Sequence, residues 1–483
     1  MIQPAAFEGE IKSYKDKQNK AVDFIKIVSD LWFNKSIELV LFRNQLIDRR
    51  VSVILNLHQN TTALTNDRPL HIDETLRVAE AVHALHLAPS RIDIGKLTLK
   101  MRENRISEDE LPDFVKNELL GADKHESFDP RDVVLYGFGR IGRLLARELI
   151  SKAGGGRQLR LRAIVTGDHI DADTLRKRAT LLRNDSIHGD FEGEVEIDVQ
   201  KNALIMNGTT VYMISAASPE EIDYTAYGIQ QALILDNTGA YRDLQQLSRH
   251  LLSKGAAQVL LTAPGKGVPN IVYGVNENSI DTQTTAIFSA ASCTTNAICP
   301  ILDVVHASLG IESGHIETIH SYTNDQNLVD NMHKKARRGR AAALNMVITE
   351  TGAGSAVAKV LPPLAGKLTS NAIRVPVPNG SLAILNLRLR TETSVEAIKG
   401  ILRKGALEGR LVEQIRYSDN SELVSSDIIG TTAASVVDAP ATIVSADGQH
   451  AILYVWYDNE YGYTHQVMRL ARHIAGVRRY TYY

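Results

Sequence analysis

Apolar residues recur at helical spacing through the first 128 residues of the chain. In the stretch KAVDFIKIVSDLWF, Val22, Ile25, Val28 and Trp32 lie three or four positions apart, which is typical of one face of a helix. An amphipathic helix buries its apolar face against another part of the protein. We therefore expect residues 1–128 to form an all-helical extension that packs on the main body or on a neighbouring subunit. The alternative is that these helices bind an unknown partner.

From residue 131 onward the pattern changes to buried-type strands that alternate with helices. The runs DVVLY, LRLRAIV, ALILDN and AAQVLL are separated by amphipathic segments, as in an α/β domain with a parallel sheet. Longer strand-like runs follow after residue 293. We predict an α/β fold with a Rossmann-type dinucleotide-binding domain at 129–292, completed by a C-terminal helix at 463–483. An α+β catalytic domain with a mixed sheet is expected at 293–462.

Composition and charge argue against several classes of protein. The chain has 483 residues and a net charge of -2, so bulk charge gives no support for a nucleic-acid partner. Its two cysteines cannot form a disulfide framework, and their spacing does not predict zinc or another metal. The N-terminus lacks an apolar secretory segment, and no apolar run is long enough to cross a membrane. We expect a cytoplasmic protein with no metal and no membrane partner.

The segment GFGRIG at 137–142 has the spacing of a dinucleotide-binding turn. It follows a predicted strand and opens a predicted helix, which is the context that this glycine pattern requires. The glycines allow a tight turn and a close approach of the backbone to a pyrophosphate, which the helix N-terminus then binds. Asp168, at the end of the next strand, is a candidate to hold the adenosine ribose and favours NAD. Arg160 and Arg162 lie nearby in sequence and leave NADP open.

The segment SAASCTTNAICP at 289–300 contains both cysteines. Cys293 falls where a strand is predicted to give way to a helix, and a helix N-terminus stabilises a thiolate. The hydroxyls of Ser292 and Thr294 flank it. A cysteine nucleophile also requires a base, and His320, at the end of the following predicted strand, is the best candidate. We interpret Cys299 as a residue of the core.

Seven segments occur in order over about 340 residues: GFGRIGR, SCTTN, HSYTNDQ, TETGAGSAVAKVLP, GKLT, IRVPVPNGS and WYDNEYGY. Together they resemble the phosphorylating glyceraldehyde-3-phosphate dehydrogenase family. The resemblance covers about residues 131–480 and does not extend to residues 1–128. It implies a homotetramer and a reaction in which a cysteine forms a thiohemiacetal and then a thioester.

The resemblance also implies roles for individual residues. Cys293 would be the nucleophile and His320 its base. The implied cofactor-binding residues are Gly137, Gly139, Arg140, Ile141, Gly142, Asp168, Thr262 and Asn459. The implied contacts of the substrate phosphate are Thr323 and Arg374, and those of the attacking phosphate are Ser292, Thr294, Thr351 and Gly352, with Arg338 nearby.

The expected function is NAD-dependent oxidation of glyceraldehyde 3-phosphate with inorganic phosphate, which gives 1,3-bisphosphoglycerate. Oxidation of erythrose 4-phosphate by a paralogue is one alternative, because the two substrates differ by one carbon. A dehydrogenase scaffold that is regulated through the N-terminal helices is another. The chemistry is that of glycolysis or, in reverse, gluconeogenesis.

Overall fold

The computed structural model describes residues 4–62, 65, 68–122 and 129–483. The predicted boundary between residues 128 and 129 lies at the end of segment 123–128, which is outside the described residues. The N-terminal region begins with a long helix, and its elements in chain order are α1 (Pro4–Lys35), β1 (Glu38–Leu41), β2 (Asn44–Gln45), α2 (Val51–Gln59), α3 (Ile72–Ala84), β3 (Ser90–Asp93), α4 (Ile94–Glu103) and α5 (Leu111–Glu118).

The N-terminal region is rich in helices, as predicted, but it is not all-helical. Its three short strands correct that part of the expectation. β1 pairs parallel with β3 and antiparallel with β2. The strand β1 is buried at every position, and a short, fully buried apolar run has no period that would separate it from the face of a helix.

A second, eight-stranded sheet is built from the next part of the chain. Its elements are β4 (Arg131–Tyr136), α6 (Arg140–Ser151), β5 (Leu159–Thr166), α7 (Ala172–Arg183), β6 (Val195–Asp198), β7 (Ala203–Met206), β8 (Thr209–Ser215), β9 (Ala232–Asp236), α8 (Leu244–Ser248), β10 (Ala256–Leu261) and β11 (Ile287–Ser289). The strand order is β11-β10-β9-β4-β5-β8-β7-β6. The strands from β11 to β8 are parallel, so the carboxyl ends of β4, β5 and β9 share one edge, where ligands bind in such sheets.

A third sheet is mixed, as predicted. Its elements are α9 (Cys293–Leu309), β12 (Ile311–Ser321), β13 (Val347–Thr349), α10 (Ala353–Val360), β14 (Leu368–Val375), β15 (Ser381–Leu389), α11 (Val395–Leu407), β16 (Ile415–Ser418), β17 (Ser435–Asp438), β18 (Ile443–Val444), β19 (His450–Tyr457) and α12 (Tyr461–Ile474). The strand order is β13-β14-β12-β15-β19-β17-β16. The buried face of α9 packs into the core of this sheet, together with residues of β12, β15 and β19.

The C-terminal tail differs from the prediction of one helix over 463–483. α12 ends at Ile474, and Gly476 adopts a left-handed conformation with φ of +69°, which commonly terminates a helix. The tail then forms β20 (Tyr480–Tyr482), which pairs parallel with β3. The first sheet therefore has the order β2-β1-β3-β20.

The chain divides into two compact units. One contains residues 1–130, 152–158 and 476–483, and the other contains 131–151 and 159–475. Among the described residues, no helix is long and apolar enough to span a membrane.

Candidate active site

Cys293 is the first residue of α9, and the preceding residue, Ser292, caps the N-terminus of this helix. The Ser292 side chain accepts a hydrogen bond from the Thr295 backbone N–H at 3.0 Å. The residue before the cap, Ala291, has a left-handed φ of +54°, a conformation that costs energy and often occurs at functional sites. This turn directs the chain from β11 into α9 with Cys293 at the helix N-terminus.

His320 lies at the end of β12 and faces the cysteine. Its Nε2 atom is 3.6 Å from Cys293 Sγ, and its Nδ1 atom is 2.7 Å from the Ser321 carbonyl oxygen. When Nδ1 donates its proton to that carbonyl, Nε2 faces the thiol as an acceptor. The predicted nucleophile and the predicted base are thus brought together.

Burial favours the uncharged forms of both groups. It raises the pKa of the Cys293 thiol, an effect that the positive charge of Arg374 opposes in part. Burial, followed by the same arginine charge, lowers the pKa of His320 to about 3. Desolvation thus opposes the thiolate form that the helix N-terminus favours. Both shifts favour the neutral thiol–imidazole pair, and it is the 3.6 Å distance between Sγ and Nε2 that makes His320 the candidate proton acceptor.

Arg374 lies on β14, the strand next to β12, and contacts His320. Its Nη1 atom donates to the Ser321 carbonyl at 2.8 Å and lies 2.8 Å from His320 Nδ1. The position follows from strand register, because β14 pairs parallel with β12 and places Arg374 opposite His320. A cation therefore stands beside the reacting pair, where an anionic substrate group can be bound.

Asn459 is held by two serines, one of which, Ser321, directly follows His320. Ser321 Oγ donates to Asn459 Oδ1 at 2.8 Å, and Ser381 Oγ donates to it at 2.9 Å. All three side chains are buried. The amide that was predicted to hold the nicotinamide is thus fixed in position, and these two hydrogen bonds were not predicted from the sequence.

The glycine turn forms one wall of a cavity of about 250 Å³ at the carboxyl ends of β4 and β5. Gly137 has φ of +99°, and a Cβ atom on Gly142 would lie 2.4 Å from the Gly137 carbonyl oxygen. A Cβ atom on Gly139 would meet nothing within 4 Å, so that this part of the turn is open to a ligand. The described residues therefore fit a dinucleotide, with the pyrophosphate next to the N-terminus of α6.

The ribose-binding candidate, Asp168, is exposed and contacts Arg178. Arg178 also lines the cavity and was not identified from the sequence. Arg160 and Arg162 lie instead beside Asp132, at 3.0 Å and 3.6 Å. Since they belong to β5 and precede its carboxyl end, these two arginines give no support to an NADP site.

The remaining predicted site residues lie in several different elements and loops. Thr262 Oγ1 donates to the Asp236 carbonyl at the carboxyl end of β9, and Thr294 Oγ1 lies 3.0 Å from the hydroxyl of Tyr457. Arg338 donates to Asp325 at 2.5 Å and to Thr349 at 3.2 Å. Thr323 is partly exposed in the loop after β12, and Thr351 and Gly352 precede α10. The hydroxyl of Ser292 caps α9 and lies 2.7 Å from Thr295 Oγ1.

Arg140, predicted to bind the cofactor, also makes a contact that the sequence did not reveal. It forms two hydrogen bonds of 2.6 Å with Glu460. His188 Nε2 lies 3.1 Å from the same carboxylate. Because Glu460 follows Asn459 directly, this cluster links the glycine turn to the predicted nicotinamide site. Ile141, the residue after Arg140, is partly buried in the first turn of α6.

Comparison with known proteins agrees with this site. Residues 131–244 match the family described as glyceraldehyde 3-phosphate dehydrogenase, NAD binding domain, and residues 292–459 match its C-terminal domain. A glyceraldehyde-3-phosphate dehydrogenase-like protein of Pseudomonas aeruginosa is 48% identical over 94% of this chain and 98% of its own length. The glyceraldehyde-3-phosphate dehydrogenase of Geobacillus stearothermophilus is 40% identical over 71% of this chain and 98% of its own.

The Pseudomonas protein matches residues well beyond those two domains, so at least one relative shares most of the N-terminal region. The fold class and the NAD-binding domain predicted from the sequence are confirmed. The chain belongs to the glyceraldehyde 3-phosphate dehydrogenase family of NAD-dependent oxidoreductases.

Proposed function

We propose that the protein is an NAD-dependent, phosphorylating glyceraldehyde-3-phosphate dehydrogenase. The observation that carries this proposal is the approach of His320 Nε2 to Cys293 Sγ at 3.6 Å, with Arg374 beside both. A thiol, a neutral base and a neighbouring cation are the groups that the oxidation of a phosphorylated aldehyde through a thioester requires.

Cys293 and His320 act together in the proposed reaction. Sγ attacks the aldehyde carbon, and His320 moves the thiol proton to the carbonyl oxygen, which gives a thiohemiacetal. His320 then takes the hydroxyl proton while the hydride leaves the same carbon, and the thioester forms. When bound, the nicotinamide of NAD supplies the hydride acceptor. Inorganic phosphate attacks the thioester, the acyl phosphate leaves, and Cys293 recovers its proton from His320.

The substrate phosphate and the attacking phosphate require cationic or hydroxyl contacts. We assign Arg374 and Thr323 to the substrate phosphate. Thr294, Thr351 and Gly352, with Arg338 nearby, are assigned to the attacking phosphate, and Ser292 supports this side by capping α9. Arg338 is held by Asp325, so it is oriented before a phosphate arrives.

The test is NADH formation from glyceraldehyde 3-phosphate and NAD, with and without inorganic phosphate. We expect turnover that depends on phosphate, because the thioester is released by phosphorolysis. Turnover that is equally fast without phosphate would contradict the phosphorylating reaction. NADP in place of NAD is expected to give a lower kcat/KM, because we assign Asp168 to the adenosine ribose and a carboxylate there disfavours a 2'-phosphate.

Erythrose 4-phosphate is the second candidate substrate, since the same pair of residues can oxidise it. We expect glyceraldehyde 3-phosphate to have the higher kcat/KM, as the relatives named above carry that activity in their names. A reversed ratio, measured side by side with the same enzyme preparation, would move the assignment to the tetrose phosphate.

We also propose that the protein is a homotetramer. Six large apolar side chains at 328–348 are more than half exposed, namely Leu328, Val329, Met332, Leu344, Met346 and Ile348. A patch of this kind marks an interface between proteins. Sedimentation equilibrium is expected to give four times the chain mass, and a monomer that is active at micromolar concentration would contradict the proposal.

A further inference from the structure

The first half of α1 carries an apolar stripe that is exposed. Phe7, Ile11 and Tyr14 are 56%, 41% and 53% exposed, and residues 7–17 are exposed on every side of the helix. From Ala21 onward one face of the same helix is buried in the core of its unit. The stripe therefore belongs to a part of α1 that extends beyond the core of its own unit.

The exposed stripe has the spacing of a coiled coil. Successive apolar positions are four and then three residues apart, and the pattern continues to Ala21 and Val28, which are buried. This alternation places the stripe at the a and d positions of a heptad, with Ile11 at a and Phe7 and Tyr14 at d. An isolated helix of this length is marginal in water, but here the helix continues directly from a packed segment, which removes the cost of nucleation.

The charges beside the stripe are complementary to those of a second copy of the same helix. Glu8 and Lys15 occupy e positions, and Glu10 and Lys17 occupy g positions. In an antiparallel pair of identical helices, e faces e and g faces g, so Glu8 meets Lys15 and Glu10 meets Lys17 of the other copy. The two-fold axis repeats both contacts, which gives four attractive pairs and no like-charge pair among these positions. In a parallel pair only Glu10 and Lys15 meet, so the charges favour the antiparallel arrangement.

We propose that residues 7–17 of α1 dock antiparallel against the same segment of a second copy of this chain. Each copy supplies one apolar stripe and both signs of charge, so the surface is complementary to itself, as a two-fold interface requires. The segment belongs to one compact unit, whereas the residues of the candidate active site and of the exposed patch at 328–348 belong to the other. It therefore gives the N-terminal region a role in assembly that does not depend on the proposed reaction.

Disulfide trapping in the full chain tests the register. The double variant Glu8→Cys/Lys15→Cys is expected to form a covalent dimer on mild oxidation, because the two positions face each other across the pair. Within one helix these positions are about 10 Å apart, too far for a disulfide. Each single variant places its two copies about 10 Å apart along the axis, so neither should be trapped. The native chain controls for Cys293 and Cys299, and NADH formation checks that every variant is folded.

Charge reversal at Glu10 and Lys17 tests whether these charges direct the pairing of the two copies. Adding Glu10→Lys to the double-cysteine chain should lower the yield of covalent dimer at least fivefold, since the introduced ammonium then meets that of Lys17. Adding Lys17→Glu as well should restore the yield. Lys12→Glu, at a b position away from the stripe, is the matched control and should leave the yield unchanged. Failure of the double-cysteine chain to cross-link, equal cross-linking of a single variant, or no rescue by Lys17→Glu would each overturn the proposal.

Discussion

Cys293 combines a helix N-terminus, a strained residue two positions before it and a base within reach, and each feature has a separate consequence. Its thiol is the only group of the reacting pair that can form the covalent bond to the substrate. Replacing it with serine keeps the shape of the site, and Ser292 continues to cap α9.

We expect Cys293→Ser to reduce kcat for NADH formation by at least about a thousandfold, since a serine hydroxyl is a far weaker nucleophile than a thiol at neutral pH. NAD affinity, measured by calorimetry, should change less than about twofold because the glycine turn is untouched. Cys299→Ser is a useful comparison, as Cys299 is buried in the core and should affect stability instead. Activity in Cys293→Ser close to that of the native chain would contradict the proposed nucleophile.

The protonation of the pair can be followed by alkylation of Cys293. Because burial raises the pKa of the thiol, the thiolate fraction and the alkylation rate rise with pH. His320→Asn removes the proton acceptor 3.6 Å away, so we expect the rate with iodoacetamide at pH 7 to fall about tenfold or more. The difference should narrow above pH 9, where hydroxide removes the proton. Equal rates in both chains at pH 7 would show that His320 is not the base.

At the scale of elements, two glycines of the turn lack a side chain for different reasons. Gly142 packs closely against the protein backbone, whereas Gly139 leaves space for a ligand. Ala at position 142 would clash with the Gly137 carbonyl oxygen at 2.4 Å, so Gly142→Ala should lower the free energy of unfolding by about 1–3 kcal/mol and weaken NAD binding. Gly139→Ala meets nothing in the protein and should weaken NAD binding about tenfold without loss of stability. Calorimetric titration with NAD and urea unfolding measure the two effects.

Gly400→Ala provides the control for the turn. It lies within α11, and its added Cβ would also meet nothing. This change should raise stability by about 0.5–1 kcal/mol, as alanine is favoured over glycine in a helix, and leave NAD binding unaltered. If Gly139→Ala behaves like Gly400→Ala toward NAD, the cavity at the turn is not the pyrophosphate site.

The elements that the sequence predicted are those whose signal is local. The glycine turn, the strands of the second sheet and the strand-to-helix step at Cys293 follow from a few adjacent residues. β1 was assigned to a helical run because its four residues are all buried. β20 was assigned to the last helix because its pairing with β3 joins residues that are distant in sequence. The quoted segments also contain Ser321 and Ser381, but the hydrogen bonds of these serines to Asn459 join residues that are distant in sequence and were not predicted.

At the scale of the whole molecule, one buried carboxylate joins three distant parts of the chain in the unit that contains β1. Glu38 is 1% exposed and contacts Lys152, Arg479 at 2.6 Å and Arg91 at 3.4 Å. These partners belong to the loop at 152–158, the tail and β3. Since the segments come from both ends and the middle of the sequence, their packing is expected to depend on this charge.

Glu38→Gln keeps the side-chain shape but removes the negative charge that Lys152, Arg91 and Arg479 contact. Removing one partner of a buried ion pair costs about 3–5 kcal/mol, and we expect a loss of that order. Trp32 lies beside Arg479, at 5.3 Å from its guanidinium, and the other tryptophan, Trp456, belongs to the other unit. In a Trp456→Phe background, tryptophan fluorescence therefore reports the urea unfolding of this unit.

The pH dependence of this loss distinguishes the charge from the packing. Burial raises the pKa of Glu38, but Lys152, Arg91 and Arg479 more than offset it, so that the pKa lies well below the usual value. A depressed carboxyl pKa stabilises the fold above the pKa of the unfolded chain, near 4.3, and this stability is lost as the pH falls toward the folded-state value. The native chain should therefore lose stability below about pH 4.3 more steeply than Glu38→Gln, and the curves of unfolding free energy against pH for the two chains should approach each other.

Glu103→Gln, at an exposed position of α4, is the control, and its curve should run parallel to that of the native chain within about 0.5 kcal/mol. A constant gap between the native and Glu38→Gln curves down to pH 3 would mean that the glutamine disturbs packing, and that the charge of Glu38 does not hold the tail and the loop in place.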